Sequence, residues 1–217
     1  MKPILFTLIF CAFLPLAAQQ RPDPLAHYRT GRDLEARGRI DEANSYYGDA
    51  VRLCTEEISA GIATMDTYAV LTWTLQRQKM YNEVIRWGTQ ALRIREDFRI
   101  IETVGEAYFY IKDYDASLKN MQRYTSRLPD GDRASVAYFF IGEIFRYQKK
   151  FRSADIAYTT AVQLEPGMAL WWFRLGTVRE AAQELPQAAE AFERALKINP
   201  SYTEAQEGLQ RTRRAAT

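Results

Sequence analysis

Histidine and cysteine are nearly absent from this 217-residue chain, which holds one His, His27, and two Cys, Cys11 and Cys54. A zinc centre needs several such ligands together, so a metal site of that kind is all but excluded and no cofactor is expected. Neither charge is in surplus. Lys and Arg number 29 against 27 Asp and Glu, a net charge of +2. That balance gives no field for gathering phosphate backbones and argues against nucleic-acid binding. Glycine (11) and proline (8) are too few for collagen-like or low-complexity sequence. With 47% apolar and 13% aromatic residues, the chain has ample material for a packed core.

Long apolar runs are missing too, apart from one at the start. Met1-Lys2-Pro3 is followed by an almost unbroken apolar stretch from Ile4 to Leu16, then by Ala17-Ala18-Gln19. A basic start, a short apolar run and small residues at its end predict a secretory signal peptide over 1–19, cut near Ala18 or Gln19. The competing reading is a retained N-terminal anchor, but the run is short for a span and no second run of about 18 apolar residues follows. Export to the periplasm or cell envelope is therefore expected, with no stable membrane span after cleavage. Cys11 would leave with the signal. Cys54 alone cannot form an internal disulfide, so stability must come from packing.

What is present is a repeat. Trp172, Leu175, Gly176, Ala188, Phe192, Ala195 and Pro200 each lie 34 residues after Tyr138, Ile141, Gly142, Ala154, Tyr158, Ala161 and Pro166. This spacing and this residue set resemble the tetratricopeptide repeat, a pair of antiparallel helices in each unit. Gly31, Leu34, Gly38, Ala43, Tyr47 and Ala50 match upstream, as do Gly105, Tyr108, Tyr114, Ser117 and Pro129. The units are predicted at 24–57, 65–97 (the weakest), 98–131, 135–168 and 169–202, with a C-terminal capping helix over 203–217. The resemblance implies an all-α, right-handed superhelical solenoid of about five helix-turn-helix repeats.

The spacing has a physical reason. Tyr138, Ile141, Gly142 and Phe145 are three and four residues apart, hence on one helix face. Alanines let neighbouring backbones approach, the aromatic fills the gap, and Pro166 or Pro200 stops the second helix. Departures mark irregular joints. Unit two has Thr72 where glycine is usual and Gly88 where an aromatic is usual, and Ile58 to Thr64 imply that the second helix of unit one runs on. Gly131-Asp132-Arg133-Ala134 adds residues before unit four, either widening the stack or forming a tolerated surface loop. Ser201 with Glu204 predicts a capping box before the final helix.

In the family that this chain resembles, the first helices line a concave surface that holds a segment of another protein. The residues expected there are Tyr28, Arg32, Trp73, Arg77, Glu106, Phe109, Tyr110, Phe139, Glu143, Arg146, Tyr147 and Phe173. Aromatics and Arg anchor interfaces, although each aromatic is equally suited to the core between helices. The Lys and Asn set by which some members clamp a chaperone carboxylate is missing, since Tyr28, Arg32, Ala69 and Trp73 stand at those positions. The expected function is a protein-interaction scaffold with a protein or peptide partner. The alternative is a ligand-handling accessory of a periplasmic transport system, and an oligomer is allowed. Catalysis finds no support: His27 lacks a partner, no phosphate-cradling loop or nucleophile elbow occurs, and Asp41-Glu42 and Glu56-Glu57 diverge around their helix. The Arg211 to Arg214 run reads as cations at a helix C-terminus, with weak membrane-surface contact as a lesser reading.

Overall fold

The computed structural model describes residues 21–215; the signal-peptide reading of 1–19 lies outside them. Among the described residues eleven α-helices follow one another: α1 (Pro24–Ala36), α2 (Ile40–Ser59), α3 (Met65–Arg77), α4 (Tyr81–Ile94), α5 (Phe98–Tyr110), α6 (Tyr114–Arg127), α7 (Ala134–Tyr147), α8 (Phe151–Leu164), α9 (Ala169–Ala181), α10 (Leu185–Ile198) and α11 (Thr203–Ala215). Consecutive helices pair as hairpins, and each hairpin packs on the next. Odd-numbered helices also touch one another directly, α1 on α3, α3 on α5, α5 on α7 and α9 on α11. Phe139 stacked on Trp171 at 5.2 Å joins α7 to α9. These contacts draw the odd helices together, so they form the inside of the curve.

The core sits between the two rows. Ala154, Ala161, Ala188 and Ala195 are fully buried, as close approach of backbones requires. In units one, four and five the aromatic of the second helix lies against the glycine of the first, and in unit three Met121 takes that place against Gly105. A Cβ on Gly142 would sit 2.6 Å from Tyr158, one on Gly176 2.7 Å from Phe192, and one on Gly31 2.5 Å from Tyr47. Phe192 also lies 2.7 Å from the position a Cβ of Gly208 on α11 would take, and so locks the capping helix in place. Unit two exchanges the partners. Thr72 is buried with its hydroxyl on the Tyr68 and Ala69 carbonyls, and Gly88 leaves room for Val104 of the next unit.

Three expectations about the joints resolve differently. α2 does run on, to 20 residues. The added residues before α7 are shaped around Tyr124, which is buried and whose hydroxyl accepts the Arg133 N–H at 3.2 Å. The predicted capping box at α11 does not form. Ser201 donates its hydroxyl to Asn199 Oδ1 at 2.8 Å, and the helix begins two residues later at Thr203.

One regularity has no counterpart in the residue pattern. The turn from first to second helix carries a left-handed residue in every unit: Gly38, Lys79, Lys112, Lys149 and Gln183. The amide after each bonds back to the last turn of the helix, as in Lys150 N–H to the Phe145 carbonyl at 2.9 Å. This closes the helix end, but a residue with a Cβ is strained there. Lys149→Gly should therefore stabilise the fold by about 0.5–1 kcal/mol, read as a higher melting temperature. An unchanged or lower one would show that the strain is relieved locally.

Candidate partner-binding groove

The inner row is built from the faces of α1, α3, α5, α7 and α9 that look away from the second helices. Of the residues expected there, Arg32, Arg77, Tyr110 and Tyr147 are exposed, whereas Tyr28, Trp73, Glu106, Phe109, Phe139, Arg146 and Phe173 are half-buried. Glu143 is buried, at 5% exposure. It corrects the expectation: the carboxylate is not presented to a partner but accepts from the Tyr158 hydroxyl, from Arg146 at 2.7 Å, and faces Arg174 at 3.1 Å. Burial, then the Glu143 charge, pushes the Tyr158 phenol far above its ordinary range. Phe139 is wedged between Tyr158 and Trp171, and Phe173 packs on Phe192 and Tyr202, so both serve the core as well as the inner face.

The rest forms two aromatic groups, one around Tyr28 and Trp73 and a larger one from Tyr81 to Tyr147. Tyr28 meets Trp73 at 5.8 Å, and Phe109 meets Phe140 at 4.9 Å. Tyr110 stacks on Tyr81 at 4.7 Å and Tyr147 on Tyr114 at 5.2 Å, both nearly parallel. Such pairs prefer offset stacking, and here each sets the outer tyrosine from the first helix of one unit against the opening residue of the second helix before it. Tyr110 and Tyr147 still expose 48% and 51% of their surface.

The charges follow a rule. Every joint has an acid on the earlier unit and an arginine from the later one. The pairs are Glu35 with Arg77 at 2.7 Å, Asp66 with Arg99 at 2.7 Å, Glu102 and Glu106 with Arg133 at 2.9 and 2.5 Å, Glu143 with Arg174, and Glu180 with Arg211 at 2.9 Å. Exposed pairs contribute about 0.2–1 kcal/mol each; their consistent direction matters more, since it sews each inner helix to the next. Arg211 thus ties the capping helix to α9, and Arg213 reaches Glu193 at 2.7 Å. Both are engaged across helices, which corrects the reading of this run as end-of-helix cations alone. Sequence reasoning missed Arg133, which lies in a linker, and the sewing rule, because the arginines come from different register positions.

Joint three holds two carboxyls for one guanidinium. Burial, with Glu106 beside it, pushes the Glu102 carboxyl well above the usual carboxylate range, against the pull of Arg133. The unfolded chain gives up that proton first, so the fold loses stability as pH climbs from the ordinary carboxylate value through the raised one. Glu102→Gln has no such proton. Relative to the parent, its stability should improve between about pH 4.5 and about pH 8, read by denaturant melts at both; a flat or opposite trend would contradict the assignment.

The remaining titratable candidates are structural. His27 Nδ1 lies 3.0 Å from the Asp23 carbonyl. Cys54 is fully buried, and burial pushes its thiol up to about 12, so little reactive thiolate forms. No helix among the described residues is long and apolar enough to cross a membrane.

A family model for the tetratricopeptide repeat matches residues 141–203. Human protein O-mannosyl-transferase TMTC1 is 26% identical over 173 residues, covering 79% of this chain and 19% of its own length. The Arabidopsis thaliana tetratricopeptide repeat domain-containing protein PYG7, chloroplastic, is 33% identical over 171 residues, covering 75% of this chain and 54% of its own. The chain thus spans between about a fifth and about half the length of these relatives. The crystal structure of YrrB, described as a TPR protein with an unusual peptide-binding site, matches with a TM-score of 0.59 at 18% identity, over 87% of this chain and 92% of that one. Five helix hairpins, each closed over its glycine or its exchanged equivalent, and a family match across the last two of them make this chain a tetratricopeptide-repeat protein.

Proposed function

We propose that the chain is an exported, non-catalytic scaffold that holds an extended segment of another protein along its inner row. The observation that carries this reading is the larger aromatic group, whose two outer tyrosines stay half exposed although each is already stacked on a supporting ring. A rigid aromatic platform kept open to water is how protein interfaces are anchored. The peptide-binding site described for YrrB, a protein of similar fold, agrees with it. Export rests on the basic start and apolar run of residues 1–19.

Cross-linked partners should be recovered from the cell envelope with the parent chain and lost with Tyr110→Ala, at a melting temperature within a few degrees of the parent's. Retained partners would overturn the groove as the binding surface. A fall in stability alone would make Tyr110 a core residue. Recovery of the chain with its first residues intact in the cytoplasmic fraction would overturn export.

A further inference from the structure

The ion-pair count departs from one to one at three joints: at joint two Arg99 meets both Asp66 and Asp97, and joints three and four, on the helices with the exposed tyrosines, depart in opposite senses. Joint three has two carboxyls, Glu102 and Glu106, for the single guanidinium of Arg133; Glu102 holds its proton in the free chain, so the second negative charge becomes available only when a cation arrives to draw that proton off. Joint four has two guanidiniums, Arg146 and Arg174, for the single carboxylate of Glu143. The imbalances at joints three and four each lie on the helix that carries one half-exposed tyrosine: Tyr110 ends α5 with Glu102 and Glu106, and Tyr147 ends α7 with Glu143. Arg146 also lies 4.4 Å over the Tyr147 ring.

Of the three buried side-chain polar atoms without a hydrogen-bond partner among the described residues, one lies at each of these places with matching sign, and the third, the acceptor Gln148 Oε1, follows Tyr147 at the end of α7. Gln76 donates its amide to Glu106 at 2.9 Å and leaves its own Oε1 buried without a donor. Arg174 leaves its Nε–H buried without a well-directed acceptor, despite its closeness to Glu143. A buried polar atom with no partner is costly and calls for a reason. Here an acceptor waits beside the surplus carboxyl, and a donor beside the surplus guanidinium.

Resting on the groove reading above, we infer that the inner row takes a bipolar segment, with a Lys or Arg side chain seated at Glu106 against Tyr110 and an Asp or Glu side chain seated at Arg146 and Arg174 against Tyr147. Apolar residues between the two charges lie on Phe109 and Phe140, whose rings bridge the two seats. The cation gains both a carboxylate and a ring face, the anion a guanidinium pair. Opposite charges at fixed places set the direction in which the segment lies, a matter of specificity more than of strength.

The test is selection of random twelve-residue peptides displayed on phage against the full chain, followed by titration of the enriched peptides. Enriched peptides should carry a basic and an acidic residue flanking an apolar centre. Changing the peptide's basic residue to Ala should weaken binding about tenfold on the parent chain and change little on Glu106→Gln; the acidic residue should be coupled in the same way to Arg174→Gln. Peptides that lose binding to Tyr110→Ala yet show no charge pattern and no such coupling would overturn the inference and leave the groove reading standing. No enrichment, or enriched peptides indifferent to Tyr110→Ala, Glu106→Gln and Arg174→Gln together, would overturn both.

Discussion

Glu143→Ala should destabilise the fold by about 3–5 kcal/mol, the cost of removing one member of a buried charge cluster and stranding the others. Three groups converge on that carboxylate: the Tyr158 hydroxyl from the core side, Arg146 from the next turn of α7, and Arg174 from α9. Without it two guanidiniums face each other, and a phenol buried between α7 and α8 loses its acceptor. The variant should melt well below the parent. Tyr158→Phe is the control. It removes one donor while Arg146 and Arg174 still hold Glu143, and should cost only about 1 kcal/mol. If Glu143→Ala cost no more than that control, the cluster would be an exposed ion pair in effect, and burial would have been the wrong basis for its strength.

The second large effect runs against the repeat pattern. Unit two lacks the aromatic that units one, four and five place on a glycine, so Gly88→Phe looks like a restoring change. It should instead cost about 4 kcal/mol or more. Even the first carbon has no room: a Cβ on Gly88 would lie 2.2 Å from Val104 Cγ2 and 3.3 Å from Ile100 Cγ2. One added methyl in a packed core costs about 1–3 kcal/mol, of which the gain in helix propensity returns about 1, so Gly88→Ala should net about 0–2. A benzyl group must in addition push α5 away from α4. Combining Gly88→Phe with Thr72→Gly and Val104→Ala should recover much of the loss, because the space that the ring needs is held by those two side chains. Equal melting temperatures for Gly88→Phe and the parent would show that the joint is slack and that its glycine is incidental.

Both cases show how far a residue pattern reaches. The 34-residue register, the small residues at the glycine and alanine positions and the stopping prolines specify hairpins that cannot bury their apolar faces alone and so must stack. The capping helix, too, is legible in its polar outer side and in Ala205. The pattern also recognises unit two as deviant. It cannot tell that Thr72 and Gly88 compensate each other, because the side chain that fills the space left by Gly88 belongs to Val104, in the following unit. Likewise Tyr124, which stands where units four and five have the small Ala161 and Ala195, is accommodated only because the extra residues before α7 fold around its hydroxyl.

The inner surface divides in the same way. Aromatics and charges at the inward register positions were visible as a set, and Tyr110 and Tyr147 are indeed half exposed there. Their stacking on Tyr81 and Tyr114 was not, since those rings belong to the preceding unit. Nor was the loss of Glu143 to the interior. The ordered sewing of acid to arginine was hidden for a plain reason: its partners are 27 to 42 residues apart, and even the three pairs that share a spacing of 31 stand at different register positions of their units.

Local spacing decides what a helix is and which side it must hide, since both follow from a period of 3.6 residues along one stretch of chain. The amino-acid sequence by itself therefore determined the hairpins, their number and their order. Which charges are spent between neighbouring hairpins and which are left over depends on how far a long side chain reaches across a joint. That distance exists only once the hairpins have stacked, and so the surplus carboxyl at joint three and the surplus guanidinium at joint four were decided by the tertiary structure alone.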